Sequence, residues 1–379
     1  MKVQGSTVKS RYVVGEFLGG GAFCRAYWAL DSLTQSRCVI KFFTRGPRPS
    51  LYSNEVHLLR ACPGAPCLPR LLDAGYHQDV NFTITDYAGV DLIQEIFTKN
   101  RVITAEALKL IAVQVLVALE EIHDKGFLHL DVKPDNILVD TSGKQVTLID
   151  FGFSRTYMDE GLHLPPTGRG PAQGNAVFCS TAYIKGETPS RRSDIESLAY
   201  TLILLEKGKL PWMTCKGFND PRLDTHLRLR ANFQHSDFYA KMSLETQRIL
   251  SYALNLKYDE KPDYEYLRSL FATDLSQITF LPRGKMGHGQ FYPEAFLQRN
   301  KSESRVSHKE ESSMDLKTRR SKLVDEADDR RASLQVSLQG SERAPGRKLT
   351  SMKPGGPCIS EEVRSRIKAL RGSGQADIC

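Results

Sequence analysis

The stretch His129-Leu130-Asp131-Val132-Lys133-Pro134-Asp135-Asn136 decides how this chain folds and what its polar residues can do. A second short motif, Asp150-Phe151-Gly152, begins fourteen residues after Asn136. The residues between the two motifs form two apolar runs around a polar, glycine-containing turn, and this pattern predicts a hairpin. A hairpin at this point would bring Asn136 and Asp150 side by side.

These two motifs supply the groups that phosphoryl transfer requires. Asp131 can accept a hydroxyl proton and Lys133 can hold a transferring phosphate, while Asn136 and Asp150 can bind magnesium. We therefore predict that Asp131 and Lys133 are catalytic and that Asn136 and Asp150 are metal ligands.

A glycine-rich segment, Leu18-Gly19-Gly20-Gly21-Ala22-Phe23-Cys24-Arg25-Ala26, lies between predicted strands at 12–18 and 26–30. Glycine lets a backbone approach phosphates that a side chain would block, so Leu18, Gly19 and Gly21 are candidate nucleotide contacts. A glycine hairpin that binds no ligand is the competing interpretation.

Lys41 ends an apolar run in a third predicted strand, 37–43. It is either a surface lysine that extends its charge into water or a cleft lysine that holds phosphates. The second role needs a carboxylate partner. Glu55, flanked by apolar positions in a predicted helix at 51–61, is the candidate.

The later part of the chain is predominantly helical by its spacing of apolar residues. Thr104 is a predicted N-cap for a buried helix at 105–125, and Ser193 to Glu196 has the spacing of a capping box. The remaining predicted elements are a strand at 80–87 and helices at 195–206 (ended by Lys207-Gly208), 243–255 and 263–273.

Charge is unevenly distributed along the 379 residues. The chain has a net charge of +8, and residues 284–379, with 19 basic and 13 acidic side chains, account for +6 of it. This segment has no aromatic residue after Phe296, so we predict a disordered, solvated tail. Nucleic-acid binding is the less favoured interpretation of its charge.

The cysteines and the N-terminal sequence bear on the compartment. Eight cysteines occur without the paired short spacings of a disulfide framework or a zinc cluster, and Cys62 and Cys67 are predicted to pack in a loop. No apolar signal core begins the sequence, and no run reaches the ~18 apolar residues of a membrane span. We expect an intracellular protein of the cytoplasm and/or nucleus without a transmembrane segment.

Together these motifs resemble those of a eukaryotic protein kinase and, within that superfamily, the casein kinase 1 group. The narrower resemblance rests on segments outside the motifs already described. They are residues 174–180 (GNAVFCS), 190–198 (SRRSDIESL), 210–212 (LPW) and 256–268 (LKYDEKPDYEYLR).

The resemblance implies an α+β, bilobal protein-kinase fold over residues 9–283. A small five-stranded β-lobe with one main helix (about 9–88) would precede a larger α-helical lobe (about 89–283), with 284–379 as a basic regulatory tail. It also implies ATP and Mg²⁺ as cofactors, protein substrates that are acidic or pre-phosphorylated, and a monomer.

The resemblance assigns further roles by position. Lys41 and Glu55 would form the nucleotide ion pair, Thr85 would be the gatekeeper, and Asp194 would anchor the catalytic loop from below. The hinge that receives adenine would consist of Asp86, Tyr87 and Ala88, followed by Gly89. Arg191 matches an anion contact for substrates, although a solvated arginine near a helix start is an equal alternative.

Two departures from the family pattern affect the expected function. Leu130 replaces the arginine that usually binds a phosphorylated activation loop, so we expect activity that does not depend on such phosphorylation. Cys24 replaces the usual third glycine. These departures leave a pseudokinase scaffold as the alternative. A small-molecule phosphotransferase is a third possibility, disfavoured by the segment 174–212, which would shape a protein-substrate platform.

The tail contains two candidate phosphorylation sites. Ser333 follows Arg330-Arg331-Ala332, which resembles a cyclic-AMP-dependent kinase acceptor site, and Ser321 follows Arg319-Arg320. Phosphates there would neutralise a basic segment. One hypothesis is that the phosphorylated tail then occupies the substrate's anion site and inhibits.

Overall fold

The computed structural model describes residues 3–21, 23–44, 50–92, 103–168, 173–214 and 217–272. The predicted tail, with Ser321 and Ser333, lies outside the described residues.

An antiparallel sheet is built from the first part of the chain. Its strands are β1 (Thr7–Val8), β2 (Tyr12–Gly20), β3 (Cys24–Asp31), β4 (Ser36–Phe43), β5 (Leu71–His77) and β6 (Val80–Asp86). Their spatial order is β1-β2-β3-β4-β6-β5. The prediction of five strands was wrong by one, because the two-residue β1 is too short to show a period-2 pattern.

The alternation of side chains across β4 determines where its lysine lies. Cys38, Ile40 and Phe42 are buried in the apolar cluster on one face of the sheet. Because successive residues of a strand face opposite sides, Lys41 lies on the other face. Helix α1 (Ser50–Ala61) presents Glu55 there, as the ion pair between the two side chains shows.

Helices dominate the second part, and their apolar side chains form the largest core. The helices are α2 (Ala105–Asp124), α3 (Thr181–Ile184), α4 (Arg191–Lys207), α5 (Leu223–Ala231), α6 (Asp237–Ala240), α7 (Leu244–Asn255) and α8 (Tyr264–Ser269). Thr104 caps α2 as predicted, since its Oγ1 accepts the N–H of Ala107 at 3.1 Å.

Helix α4 begins earlier than its sequence suggested. Ser190 is the N-cap and its N–H donates to Ser193 Oγ at 3.3 Å, so Ser193 lies inside the first turn and does not precede it. The predicted end is confirmed, because Gly208 has a φ of +72°, a conformation in which glycine is unstrained.

Short strands order the segments around the two motifs. The predicted hairpin is confirmed, with β9 (Ile137–Val139) antiparallel to β10 (Val146–Leu148). The other short strands are β7 (Val90–Asp91), which pairs with β9, β8 (Phe127–Leu128), which pairs with β11 (Arg155–Thr156), and β12 (Met158–Asp159), which pairs with β13 (Leu162–His163).

None of the described helices is long and apolar enough to cross a lipid bilayer. Cys62 is buried in the large core and Cys67 packs against its edge. Among the described residues, no group of three or more His, Cys, Asp or Glu side chains is placed to bind a metal ion.

Candidate active site

The hairpin places Asn136 and Asp150 next to each other, as the sequence predicted. The N–H of Ile149 donates to the carbonyl of Asn136 at 2.9 Å, which ties the end of one strand to the start of the other. Asp150 follows at once with a φ of +68°, an uncommon conformation for a residue with a Cβ. Such conformations persist only where surrounding contacts impose them, and they are frequent at functional sites.

Lys41 joins the sheet to this hairpin. Its Nζ donates to Glu55 Oε2 at 2.5 Å and to Asp150 Oδ1 at 2.8 Å. The other oxygen of Glu55 accepts the hydroxyl of Thr83, at 3.0 Å. The predicted Lys41–Glu55 pair is therefore formed, and Lys41 is not a surface lysine.

The charges of Lys41, Glu55 and Asp150 affect one another's pKa values. Although burial opposes it, Asp150 and Glu55 hold the pKa of Lys41 well above its usual value. Burial likewise opposes ionisation of Asp150, yet Lys41 and Lys133 hold its pKa well below the usual range. Asp150 is thus an anion whose side chain remains 31% exposed, which is the state that a metal ligand needs.

Asp131 is buried and only partly paired. Its Oδ2 accepts Lys133 Nζ at 2.6 Å and Asn136 Nδ2 at 3.1 Å. Its Oδ1 has no hydrogen-bond partner among the described residues. Gly174 approaches this oxygen, since a Cβ there would stand 3.1 Å from it. Burial raises the pKa of Asp131, an effect that Lys133 partly offsets. Asp131 therefore presents one unpaired oxygen able to accept a proton.

The amide of Asn136 is oriented by the same contacts. Its Nδ2 donates both to the carboxylate and to the backbone carbonyl of Asp131, the latter at 2.8 Å. The amide oxygen of Asn136 can then act as an acceptor or as a metal ligand. An amide oxygen and an ionised carboxylate are hard oxygen ligands, so Asn136 and Asp150 fit Mg²⁺.

Asp194 supports the catalytic loop (residues 129–136) from beneath, as predicted. It is fully buried and accepts the backbone N–H groups of His129 and Leu130, each at 2.8 Å, and His123 Nε2 at 2.9 Å. Although burial opposes it, the hydrogen bond from His123 and the other donors lower the pKa of Asp194.

His129 is a buried core residue, as the sequence suggested. Burial lowers its pKa, so the ring is neutral. One ring nitrogen accepts the N–H of Asp131 at 3.2 Å, which leaves the other to donate to the carbonyl of Ile149 at 3.1 Å. The ring also packs edge-on against Phe151, with 5.3 Å between ring centres. His129 thus connects the two motifs.

Leu130 is buried where the family has an arginine. It forms an apolar cluster with Leu128, Tyr157 and Met158. Tyr157 belongs to the activation loop (residues 156–174); its N–H donates to the carbonyl of Gly126 at 2.9 Å, and its hydroxyl donates to that of His123 at 2.6 Å. Apolar packing and backbone hydrogen bonds therefore hold this end of the activation loop.

The glycine loop and the hinge occupy the expected elements. Leu18 is about half exposed, and a Cβ at Gly19 or Gly21 would meet no protein atom within 4 Å. The protein itself therefore requires glycine at neither position. The protein does require glycine at position 20, because a Cβ on Gly20 would stand 2.6 Å from the carbonyl of Cys24. No prediction singled out this residue.

The hinge residues follow directly from β6. Thr85 and Asp86 end that strand, and Tyr87 and Ala88 continue from it, all of them half-buried. The hinge is held at its far end by Gly89, whose φ is +133° and where a Cβ would stand 2.2 Å from the carbonyl of Val139. Whether these residues contact adenine stays a prediction.

Arg191 lies buried at the start of α4. One guanidinium nitrogen donates to the carbonyl of Asp259 at 2.5 Å and another to the hydroxyl of Tyr157 at 3.3 Å. The cation also lies 5.0 Å from the centre of the Tyr157 ring. In this arrangement Arg191 holds the activation loop against α4 and is not the solvated arginine of the alternative prediction. A contact with a substrate anion stays a prediction.

Sequence reasoning did not find Thr83, the second partner of Glu55. The signal was present but long-range, since Thr83 lies opposite Lys41 in the β4–β6 register. Cross-strand register is a tertiary property that local patterns do not give.

Comparison with known proteins agrees with this geometry. A model of the protein kinase domain matches residues 12–268, and the chain belongs to the protein kinase family. A probable casein kinase I homolog of Encephalitozoon cuniculi is 29% identical over 265 residues, which cover 68% of this chain and 83% of that protein. The chain is thus a protein kinase similar to casein kinase 1.

Proposed function

We propose that this chain is an active serine/threonine protein kinase of casein kinase 1 type, which transfers the γ-phosphate of ATP to Ser or Thr residues of protein substrates. The observation that carries the proposal is the bridging position of Lys41 between Glu55 and Asp150. A binding scaffold does not need these three charges gathered beside a half-paired Asp131.

ATP binds between the sheet and the helical lobe. The hinge after Asp86 receives adenine, and Lys41 holds the α- and β-phosphates while Glu55 keeps the lysine in place. Asp150 and Asn136 would hold Mg²⁺, which when bound supplies positive charge to the phosphate oxygens.

Asp131 orients the acceptor hydroxyl and accepts its proton through the unpaired Oδ1. Lys133, already 2.6 Å from the other oxygen, keeps the loop in this arrangement and offsets the charge of the transferring phosphate. The proton moves from the substrate oxygen to Asp131 as the bond between that oxygen and the γ-phosphorus forms and the bond between the γ-phosphorus and the leaving ADP breaks.

The enzyme acts without phosphorylation of its activation loop. In kinases that require it, the phosphate pairs with the arginine that Leu130 replaces. Here the apolar cluster of Leu130, Leu128, Tyr157 and Met158 orders the start of the loop.

The alternative is a pseudokinase that binds partners on the same fold. Only the residues at positions 130 and 24, Leu130 and Cys24, favour the pseudokinase alternative. Burial raises the pKa of the Cys24 thiol to about 11, so the thiol is neutral at pH 7 and adds no negative charge beside the phosphates. We therefore favour the enzyme, acting as a monomer inside the cell, in the cytoplasm and/or nucleus, on acidic or pre-phosphorylated proteins.

The test is incubation with labelled ATP, Mg²⁺ and casein, beside the Asp150→Asn variant. The proposal expects label on Ser or Thr with the parent protein and none with the variant, whose melting temperature should stay close to that of the parent. Label from neither protein, on casein, on acidic or primed peptides or on the chain itself, would favour the scaffold. Equal label from both would overturn the metal assignment.

A further inference from the structure

Residues 174–181, here called the platform segment, begin in contact with the catalytic loop. Gly174 has a φ of +88°, and a Cβ there would stand 2.9 Å from the carbonyl of Leu130. The segment then turns, as the N–H of Cys179 donates to the carbonyl of Asn175 at 2.9 Å. Any movement of this segment changes the surface beside Asp131, where an acceptor hydroxyl must lie.

One side chain from outside the segment binds three of its carbonyl groups. Arg230, on α5, donates to the carbonyls of Ala176 at 3.1 Å and Val177 at 2.6 Å, and also to that of Cys179. Val177 accepts a further bond, at 3.0 Å, from the indole N–H of Trp212. The backbone of the segment is thus fixed through its carbonyl groups.

Arg230 is itself fixed by aromatic rings. Only 5% of its surface is exposed, and its guanidinium lies 4.4 Å from the ring centre of Tyr200 and 5.0 Å from that of Trp212. Among the described residues no carboxylate lies within ion-pairing distance of it. A buried cation is costly unless other groups compensate its charge, and here carbonyl dipoles and ring faces do so.

The far end of the platform segment is held by a different charge. Glu196, buried on α4, accepts the N–H of Thr181 at 2.8 Å, the hydroxyl of Thr181 at 2.7 Å and the hydroxyl of Tyr200 at 2.7 Å. Tyr200 therefore contacts both the glutamate and the arginine, so the two buried charges act on one segment.

The two faces of helix α5 differ: the inner face carries the arginine that binds the platform segment, and the outer face is exposed. His226 and Arg230 are buried on its inner face, whereas Asp224, Thr225 and Arg228 are exposed. Among the described residues, the side chain of Arg228 bonds within its own helix alone, at 3.4 Å to the hydroxyl of Thr225 and at 3.4 Å to the carbonyl of Asp224. The chain thus offers two arginines, two residues apart, of which one touches the platform segment.

We infer that Arg230 is a positioning residue for the protein substrate. It holds the platform segment in the conformation that receives the acceptor chain, in the absence of any phosphate on the activation loop. This inference rests on the proposed kinase function. It requires that loss of Arg230 weakens the use of protein substrate and leaves the use of ATP unchanged, because no contact of Arg230 reaches Lys41, Glu55 or Asp150.

The test compares steady-state kinetics of the parent, Arg230→Met, Arg230→Lys and the matched control Arg228→Met. We expect the KM for casein to rise about tenfold in Arg230→Met, the size expected for loss of hydrogen bonds from a charged donor, with the KM for ATP unchanged. Arg230→Lys should recover part of the loss, since a lysine keeps the charge but lacks the planar fork of guanidinium nitrogens that reaches the three carbonyls. Arg228→Met should match the parent.

Melting temperatures are measured for every variant. Trp212→Phe supplies a second route, since it keeps an aromatic ring at this position and removes the N–H together with part of the indole. If Arg230→Met does not fold, a raised KM for casein in Arg230→Lys and Trp212→Phe supports the inference and an unchanged one overturns it. A parallel rise in both KM values, or a fall in kcat alone, also overturns it. A parent that transfers no phosphate refutes the proposed function itself, which distinguishes the two failures.

Discussion

Asp194 lies wholly buried beneath the catalytic loop, and its Oδ1 accepts the backbone N–H of Leu130 at 2.8 Å. Leu130 has a φ of +66°, which is strained for a residue of its size. The carboxylate therefore holds the loop in a conformation that it would not adopt alone, immediately before Asp131.

Asp194→Asn is expected to damage both stability and catalysis. An amide can accept only through one atom, so one of the donors of His129, Leu130 and His123 would face an NH₂ group. We expect a loss of roughly 3 kcal/mol in the free energy of unfolding and a fall in kcat of at least about tenfold. Urea titration and initial rates measure the two effects.

The control is Asp124→Asn, at an exposed carboxylate 2.8 Å from Lys261. Exposed pairs contribute little, so this variant should resemble the parent in both measurements. An Asp194→Asn protein with parental kcat would show that the loop does not need its anchor.

Leu130→Arg restores the family's usual residue but should not improve the enzyme. The side chain would enter the apolar cluster of Leu128, Tyr157 and Met158, and burying an unpaired charge there should cost roughly 2–4 kcal/mol of stability. Leu130→Met, which conserves volume, should cost less than about 1.5 kcal/mol. Phosphatase treatment of the parent should leave its rate unchanged. A stable and faster Leu130→Arg protein would contradict this account.

Replacing a glycine by alanine should have different effects at Gly89 and in the glycine-rich loop, because the surroundings of the new Cβ differ. Gly89→Ala should destabilise the protein by more than about 1 kcal/mol, because its φ is positive and the new Cβ would collide with the carbonyl of Val139. Gly19→Ala and Gly21→Ala meet no protein atom, so their melting temperatures should stay close to that of the parent. If their backbone approaches phosphates, their KM for ATP should nevertheless rise. Unchanged KM values would support the interpretation of a glycine hairpin without a ligand.

The pH dependence of the rate should report the environment of Asp131. Burial raises its pKa above the usual value, so activity should be lost as pH falls through that raised value, and the acid limb of kcat/KM should lie above about pH 3.9. Lys133 opposes this rise. Lys133→Met should therefore lower the rate and move the acid limb to higher pH, whereas Lys133→Arg, which keeps the charge, should leave the limb nearly in place. If the acid limb lies at the same pH in both variants, it reports the ionisation of a group other than Asp131.

Much of the site could be predicted because its parts are close in sequence. Asp131, Lys133 and Asn136 share one loop, and a hairpin readable from its apolar runs brings Asp150 to them. The role of Asp194 could be predicted from the family resemblance and from its position at the start of a helix.

What the sequence did not reveal depends on packing between distant elements. Thr83 reaches Glu55 through strand register, and Arg230 reaches the platform segment because α5 packs its inner face against it. Arg191 was predicted to be either a substrate anion contact or a solvated arginine, because a long polar side chain at a helix start can turn either way. Its inward position follows from Tyr157 and the carbonyl of Asp259, which no local pattern connects to it.

The stability of the folded protein should depend on pH through His226. This residue is 2% exposed, and its ring is stacked on that of Trp212 with 6.0 Å between ring centres and 23° between ring planes. Neither ring nitrogen has a hydrogen-bond partner among the described residues. Burial, with a further contribution from the nearby charge of Arg230, lowers the pKa of His226 to about 3. The unfolded chain binds a proton at this histidine near pH 6.5, whereas the folded protein does so only near pH 3.

Because the unfolded state takes up the proton first, this contribution to stability is present above about pH 6.5 and is lost as pH falls towards 3. The expected slope is about 1.4 kcal/mol per pH unit below pH 6. His226→Phe, which keeps an aromatic ring against Trp212, should remove that part of the slope in urea titrations between pH 6 and 4. His235→Phe, at an exposed histidine of the same region, is the control and should keep it. A parental slope in His226→Phe would mean that another group senses the acid. Loss of the slope together with a parental KM for casein at pH 7 would show that the neutral histidine supports the fold without taking part in substrate binding.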